Sequence, residues 1–227
     1  MKNFVTVDWR NGPDRIFFFF KDTNTYSSFH LGNNHVEEGY PTSVAGHWGD
    51  FGQHVKDLRF GFTTPSPDWH SAGGGDMVWF FYLDGDTPMV CKYSQINSKV
   101  VFKKSLSDTD WWPLGNFFNK IVGVMLDEKA DSKHTYWVFL NDGRYFQYSP
   151  RTPRPPKVKP FNGSEWKELE NYKDRIITTA LNDFSIFNAY FYFFLTNNEY
   201  LRFDVKKRTV NGPFPVHEGT WPGLITK

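Results

Sequence analysis

Four short segments of this chain share one layout, a bulky apolar residue, two variable positions and a second bulky apolar residue. They are Tyr26-Ser27-Ser28-Phe29, Val90-Cys91-Lys92-Tyr93, Tyr145-Phe146-Gln147-Tyr148 and Tyr200-Leu201-Arg202-Phe203, with starts 64, 55 and 55 residues apart. An aromatic run precedes each: Ile16–Phe20, Val78–Tyr82, Tyr136–Phe139 and Tyr190–Phe194. Tryptophan follows each: Trp48, Trp111 with Trp112, Trp166 and Trp221. A period of this size is the mark of repeated supersecondary units, so it constrains the fold more than any single motif.

The units fall near 1–56, 57–118, 119–173 and 174–227, read as one domain over 1–227. In the first, Phe4–Trp9 reads as a strand, Asn11-Gly12-Pro13 as a turn, Ile16–Phe20 as a second strand and Tyr26–Leu31 as a third. The fourth unit repeats this with Ile176–Leu181, Tyr190–Leu195 and Tyr200–Val205, giving three clear strands and a weaker fourth per unit. Aromatic residues make up 19% of the chain, which favours strands because planar side chains suit a pleated surface.

The second strands are continuously apolar. A sheet with one wet face alternates apolar and polar residues, so these sheets are covered on both faces. Four sheets that each need two neighbours satisfy that need by closing into a ring. The expected fold is therefore all-β, a four-bladed β-propeller. A two-sheet sandwich, the alternative, covers one face per sheet and predicts more alternation.

The residues also carry a family likeness. Phe18-Phe19-Phe20-Lys21-Asp22, then Tyr26-Ser27-Ser28-Phe29, then Val36-Glu37-Glu38-Gly39-Tyr40-Pro41 resembles a hemopexin repeat. So does Tyr192-Phe193-Phe194-Leu195, followed by Glu199–Asp204 and Trp221-Pro222-Gly223-Leu224. The likeness spans the chain, strongest in the first and last units and weakest in the second. It implies a propeller whose blades run from an inner strand at a central channel to an outer strand. Free-standing hemopexin-type seed albumins of similar size are carbohydrate or polyamine binders. The family's disulfide between first and last blades is missing, because Cys91 is alone. Ring closure then rests on packing and hydrogen bonds.

The resemblance also implies a column of channel residues whose main-chain carbonyls hold ions. The best alignment places Asn3, Asp57, Asn119 and Asp174 there, followed four residues later by the small residues Gly61, Gly123 and Thr178 in the last three units. Oxygen ligands around a four-fold axis suit calcium or sodium. The family's alanines are replaced by Leu58-Arg59 and Arg175-Ile176, and an arginine in the channel would repel a cation and attract an anion. The bland alternative is that these four residues cap turns between blades.

The second unit carries an insertion, Thr63–Asp76, between its first and second strands. The equivalent joints are shorter: Arg10–Asp14, Asp127–Lys133 and Asn182–Asn188. All four emerge at one end, where loops on a rigid scaffold bind ligands. Trp69 beside His70 and Asp68, with Trp9 close by, suits a sugar: a flat ring covers a pyranose face and polar neighbours bond its hydroxyls. Trp69 folded back to seal the blade is the structural alternative. Ser149–Pro160 is proline-rich and basic, and reads either as a polyproline docking segment or as a blunted sheet edge.

Other chemistries find no support. Gly73-Gly74-Gly75 lacks the lysine and hydroxyl of a phosphate loop, and the histidines lack zinc spacing. Haem binding among relatives uses two propellers, and one ring is expected here. There is no nucleophile elbow, and acids such as Asp8, Asp14, Asp127, Glu128 and Asp183 read as solvated loop residues. A net charge of +1 gives no nucleic-acid footprint. With no signal-type apolar run, no membrane span and one cysteine, the expected location is cytoplasmic. The expectation is thus a non-enzymatic, lectin-like carbohydrate-binding protein. Calcium, sodium or polyamine binding in the channel is the alternative, a protein-interaction module is the third reading, and a homodimer is left open.

Overall fold

The structure, a computed structural model, describes residues 1–65, 75–127, 130, 134–182 and 189–225. They form four antiparallel sheets, each a meander of strands paired in chain order. Blade 1 holds β1 (Phe4–Trp9), β2 (Arg15–Phe20) and β3 (Thr25–His30), with its outer strand broken into β4 (His35–Val36) and β5 (Thr42–Ser43). Blade 2 holds β6 (Leu58–Thr64), β7 (Met77–Asp84), β8 (Thr87–Ser94) and β9 (Lys99–Ser105). Blade 3 holds β10 (Ile121–Leu126), β11 (Tyr136–Leu140), β12 (Arg144–Tyr148) and β13 (Lys159–Pro160). Blade 4 holds β14 (Ile176–Asn182), β15 (Tyr190–Leu195), β16 (Glu199–Asp204) and β17 (Thr209–Pro215). The first strands close a ring: β1 touches β6 and β14, and β10 touches the same two. This is a four-bladed β-propeller.

The continuous aromatic strands follow from that ring. Alternate residues of one strand serve opposite seams. Phe17 and Phe19 of β2 enter a cluster shared with Val78, Phe80 and Tyr82 of blade 2, while Ile16 and Phe18 face Phe194 of blade 4. On β7, Trp79 and Phe81 turn the other way, toward Tyr136 and Val138 of blade 3. On β11, Trp137 and Phe139 meet Phe191 and Phe193 of blade 4. Fully burying one such ring stabilises by roughly 1.5–3 kcal/mol. The four clusters, more than any hydrogen bond, hold the blades together.

Each recurring tryptophan fills one seam. Trp48, Trp111, Trp166 and Trp221 belong to four different clusters. Trp48 meets Phe17 edge-on at 4.8 Å and Trp166 meets Phe139 at 4.6 Å between ring centroids. Trp221 lies 4.7 Å from Phe29 and so bridges the last blade to the first. Cys91 is buried and free, so this closure is non-covalent, reinforced by the Val36 N–H donating to the Pro222 carbonyl at 2.9 Å.

Near the axis the blades approach closely. A Cβ on Gly123 of β10 would lie 1.8 Å from Thr179 Oγ1 of β14, and one on Gly61 of β6 would lie 2.8 Å from Val7 Cγ2 of β1. The small residues therefore admit a neighbouring blade's side chain. Thr178 acts through its hydroxyl instead, accepting the Thr6 N–H at 3.0 Å. Between blades 1 and 2, Asp8 accepts the Thr63 N–H, and Gln95 donates to the Thr63 hydroxyl while accepting the Arg10 and Asn11 N–H groups.

The fourth strands differ from the uniform weakness expected. β9 and β17 run seven residues each, whereas β13 has only two. Three inner strands also carry a β-bulge at their start, between Leu58 and Phe60, Ile121 and Gly123, and Ile176 and Thr178.

Candidate functional site

The inner strands all start at one end of the ring, where a depression of about 190 Å³ opens. The bulges build it. A bulge places two residues opposite one and re-aims a side chain, and the bulged residues Arg59, Val122 and Ile177 line the depression with Asn3, Lys21, Asn119 and Asn141. Of the four expected channel residues, Asn3 and Asn119 thus meet there. Asp57 and Asp174 do not line it and lie in the 3-10 segments Gly49–Asp57 and Lys167–Arg175.

The donor set at this mouth suits a hard cation poorly. The Asn3 carbonyl already accepts the Lys21 N–H at 3.1 Å, and the Asn119 carbonyl accepts Arg59 Nη2 at 3.2 Å. Burial lowers the pKa of the Lys21 ammonium, and the charge of Arg59 lowers it further. Asp57 and Asp22 act in the opposite direction, so the cationic character of Lys21 and Arg59 is only partly offset at the mouth. Among the described residues, no group of three or more His, Cys, Asp or Glu could hold a metal ion.

Asp68, Trp69 and His70 lie outside the described residues, as do Glu128 and Asp183. Trp9 is described and belongs to the core: it is 8% exposed, packs on Phe17 at 5.5 Å and Trp48 at 5.9 Å, and donates its indole N–H to the Asn11 carbonyl. The aromatic faces that a sugar would use are taken up by that packing.

A larger cavity than the channel mouth lies elsewhere, on the outside of blade 3. There β12 pairs with β13 only through Arg144 opposite Pro160 and Tyr145 opposite Lys159. Among the described residues, the outer edge from Phe146 to Tyr148 has no strand beside it. The chain turns away after β12, with Thr152 N–H donating to the Ser149 carbonyl at 3.2 Å, and returns only at Lys159. Proline explains this detour, since it has no N–H to donate to a ladder. What remains is a groove of about 620 Å³ between β12 and the proline-rich segment.

Its floor carries the edges of Trp137, Tyr145 and Tyr148, which are 7%, 5% and 3% exposed. Thr135, Gln147, Ser149 and Thr152 add neutral hydrogen-bonding groups, and Gln147 is anchored by donating to Asp127 Oδ2 at 2.8 Å. Arg151, Arg154, Lys157 and Lys159 form the outer wall, all exposed, and no carboxylate lines the groove among the described residues. None of these four cations makes an ion pair among the described residues. A recess of about 270 Å³ on blade 2 differs in having mixed charge, with Lys92 and Lys104 facing Asp108 and Asp110.

No protein-family model and no curated protein matches the chain. Among solved structures it is similar to the Dos1 propeller, at 11% identity over 86% of this chain and a TM-score of 0.31. It spans 41% of that chain's length. A likeness at this level carries nothing about ligand or activity. The fold class defined here, a four-bladed propeller, rests on the strand pairing and ring contacts described above.

Proposed function

We propose that this protein is a non-enzymatic, lectin-like carbohydrate-binding propeller of the hemopexin kind, with its binding surface in the blade 3 groove. The supporting observation is that groove, where a two-residue outer strand leaves room for a chain-like ligand beside hydroxyl, amide and cationic side chains. Such groups bond sugar hydroxyls, and a rigid sheet holds them in place.

A glycan array probed with the full chain tests the reading. Thr152 is exposed and lines the groove, so Thr152→Trp fills the space and abolishes binding. Trp69→Ala leaves binding intact if the groove is the site and removes it if the Thr63–Asp76 insertion is. Absence of any glycan signal refutes the proposal.

A second reading places a small ligand at the channel mouth. Lys21 and Arg59 favour an anion there over calcium, sodium or a polyamine. A thermal-shift panel separates them: stabilisation by chloride or phosphate, with none by calcium or spermine, supports the anion.

A further inference from the structure

We infer that the blade 3 groove takes a linear polyanionic saccharide, whose sulfate or carboxylate groups lie along Arg151, Arg154 and Lys157, with Lys159 at the β12 edge. This rests on the carbohydrate reading of that groove and adds the charge class of its ligand.

Arg151, Arg154 and Lys157 recur every third residue, Lys159 follows two residues on, and all four line the groove. An extended proline-rich segment has three residues per turn and rises about 3.1 Å per residue, so it repeats one face at about 9 Å intervals. Residues 153–158 have no strand or helix bonding, and three of their six positions are proline. Arg154 and Lys157 thus sit about 9 Å apart along one face, a spacing at which a chain bearing several anionic groups meets both. Among the described residues, the groove lining contains no acid to neutralise their positive charge.

Two other polyanions fit less well. Single-stranded nucleic acid relies on exposed aromatic faces for base stacking, whereas Trp137, Tyr145 and Tyr148 are all under 9% exposed. An acidic peptide adding as a strand needs a free edge, and typical strands run about 5–6 residues. Here only Phe146 to Tyr148 are open, closed at one end by the β13 pairing and at the other by the turn at Ser149. Hydroxyl-rich sugar rings instead match Thr135, Gln147, Ser149 and Thr152.

Calorimetric titration of the full chain with five probes of matched length tests this: a heparin oligosaccharide, an oligogalacturonate, a neutral dextran oligomer, polyglutamate and oligothymidylate. The expected result is binding of heparin, oligogalacturonate or both, weakening steeply with salt, and at least tenfold weaker binding of the other three. The first two probes distinguish sulfate from carboxylate recognition. Arg154→Ala with Lys157→Ala weakens binding by about 100-fold, taking roughly tenfold per charged contact. The melting temperature stays unchanged, since neither side chain has an ion pair to lose. Dextran binding as tightly as heparin overturns the anionic assignment and leaves the carbohydrate reading standing. Failure of all three saccharides overturns both. Polyglutamate or oligothymidylate binding as tightly as the acidic saccharides overturns the saccharide assignment, and an unchanged affinity of the double variant overturns the location.

Discussion

Gly123→Ala examines the close approach of blades 3 and 4. The added methyl carbon would lie 1.8 Å from Thr179 Oγ1, 2.4 Å from its Cγ2 and 2.6 Å from its Cβ. Thr179 is 4% exposed on β14. Both residues sit on inner strands, so relief requires blades 3 and 4 to part. Overpacking of a buried site costs about 1–3 kcal/mol, and three atoms within contact distance place this substitution near 3. For a chain of this length that corresponds to a fall in Tm of about 6–12 °C. Gly115→Ala is the control, because Gly115 is exposed and its nearest new neighbour is Leu106 Cδ2 at 3.7 Å. Urea melts of the two variants with far-UV circular dichroism measure the difference. Adding Thr179→Gly to Gly123→Ala should recover part of the loss, a coupling that unrelated sites would not show. If Gly123→Ala costs no more than Gly115→Ala, blades 3 and 4 do not approach as described and the reasoning fails.

Two further outcomes follow from the polar contacts. Gln95→Ala removes the acceptor of the Arg10 and Asn11 N–H groups and a donor to Thr63, so it should cost about 1–3 kcal/mol in the same melts; a loss under about 0.5 kcal/mol would mean that this bridge between blades 1 and 2 is not formed. The Asp142 carboxylate is held down to about 2, chiefly by its hydrogen bond from Arg144, against the opposing effect of partial burial, with Lys120 assisting. A carboxylate with a lower pKa folded than unfolded stabilises above the unfolded value of 3.8 and loses that contribution as pH falls toward 2. Asp142→Asn should therefore remove less than about 1 kcal/mol at pH 7, as befits a partly exposed pair, and nothing near pH 2. An equal loss at both pH values would show that charge is not the cause.

The blades were legible because one physical need wrote them into the chain. A strand buried on both faces cannot afford polar residues, so Ile16–Phe20 and Val78–Tyr82 announce themselves. The tryptophans were equally visible, since each seam needs one large ring. The channel mouth was only half legible. Asn3 and Asn119 line it, but bulges have no side-chain signature, and they bring Arg59, Val122 and Ile177 to the mouth while Asp57 and Asp174 stay in the preceding turns. Trp9 looked like a binding residue because aromatic side chains serve both roles. Its alternation with Val5 and Val7, all three in one cluster, was the sign of packing. The groove was missed because the prolines of Ser149–Pro160 were sufficient to explain a blunted edge. The three-residue spacing of Arg151, Arg154 and Lys157 was the signal that went beyond that explanation.

Every blade lends one face to each of its two neighbours, so none has a core of its own. Loss of one blade would strand two apolar faces in water at once. Unfolding should accordingly run as a single transition around the ring. The seam between blades 4 and 1 is spanned by no connection from one blade's last strand to the next blade's first, and it relies on side-chain contacts such as Trp221 on Phe29 and on the Pro222 carbonyl. That seam is therefore held by non-covalent contacts alone, and parting it would open the ring without disturbing any single sheet.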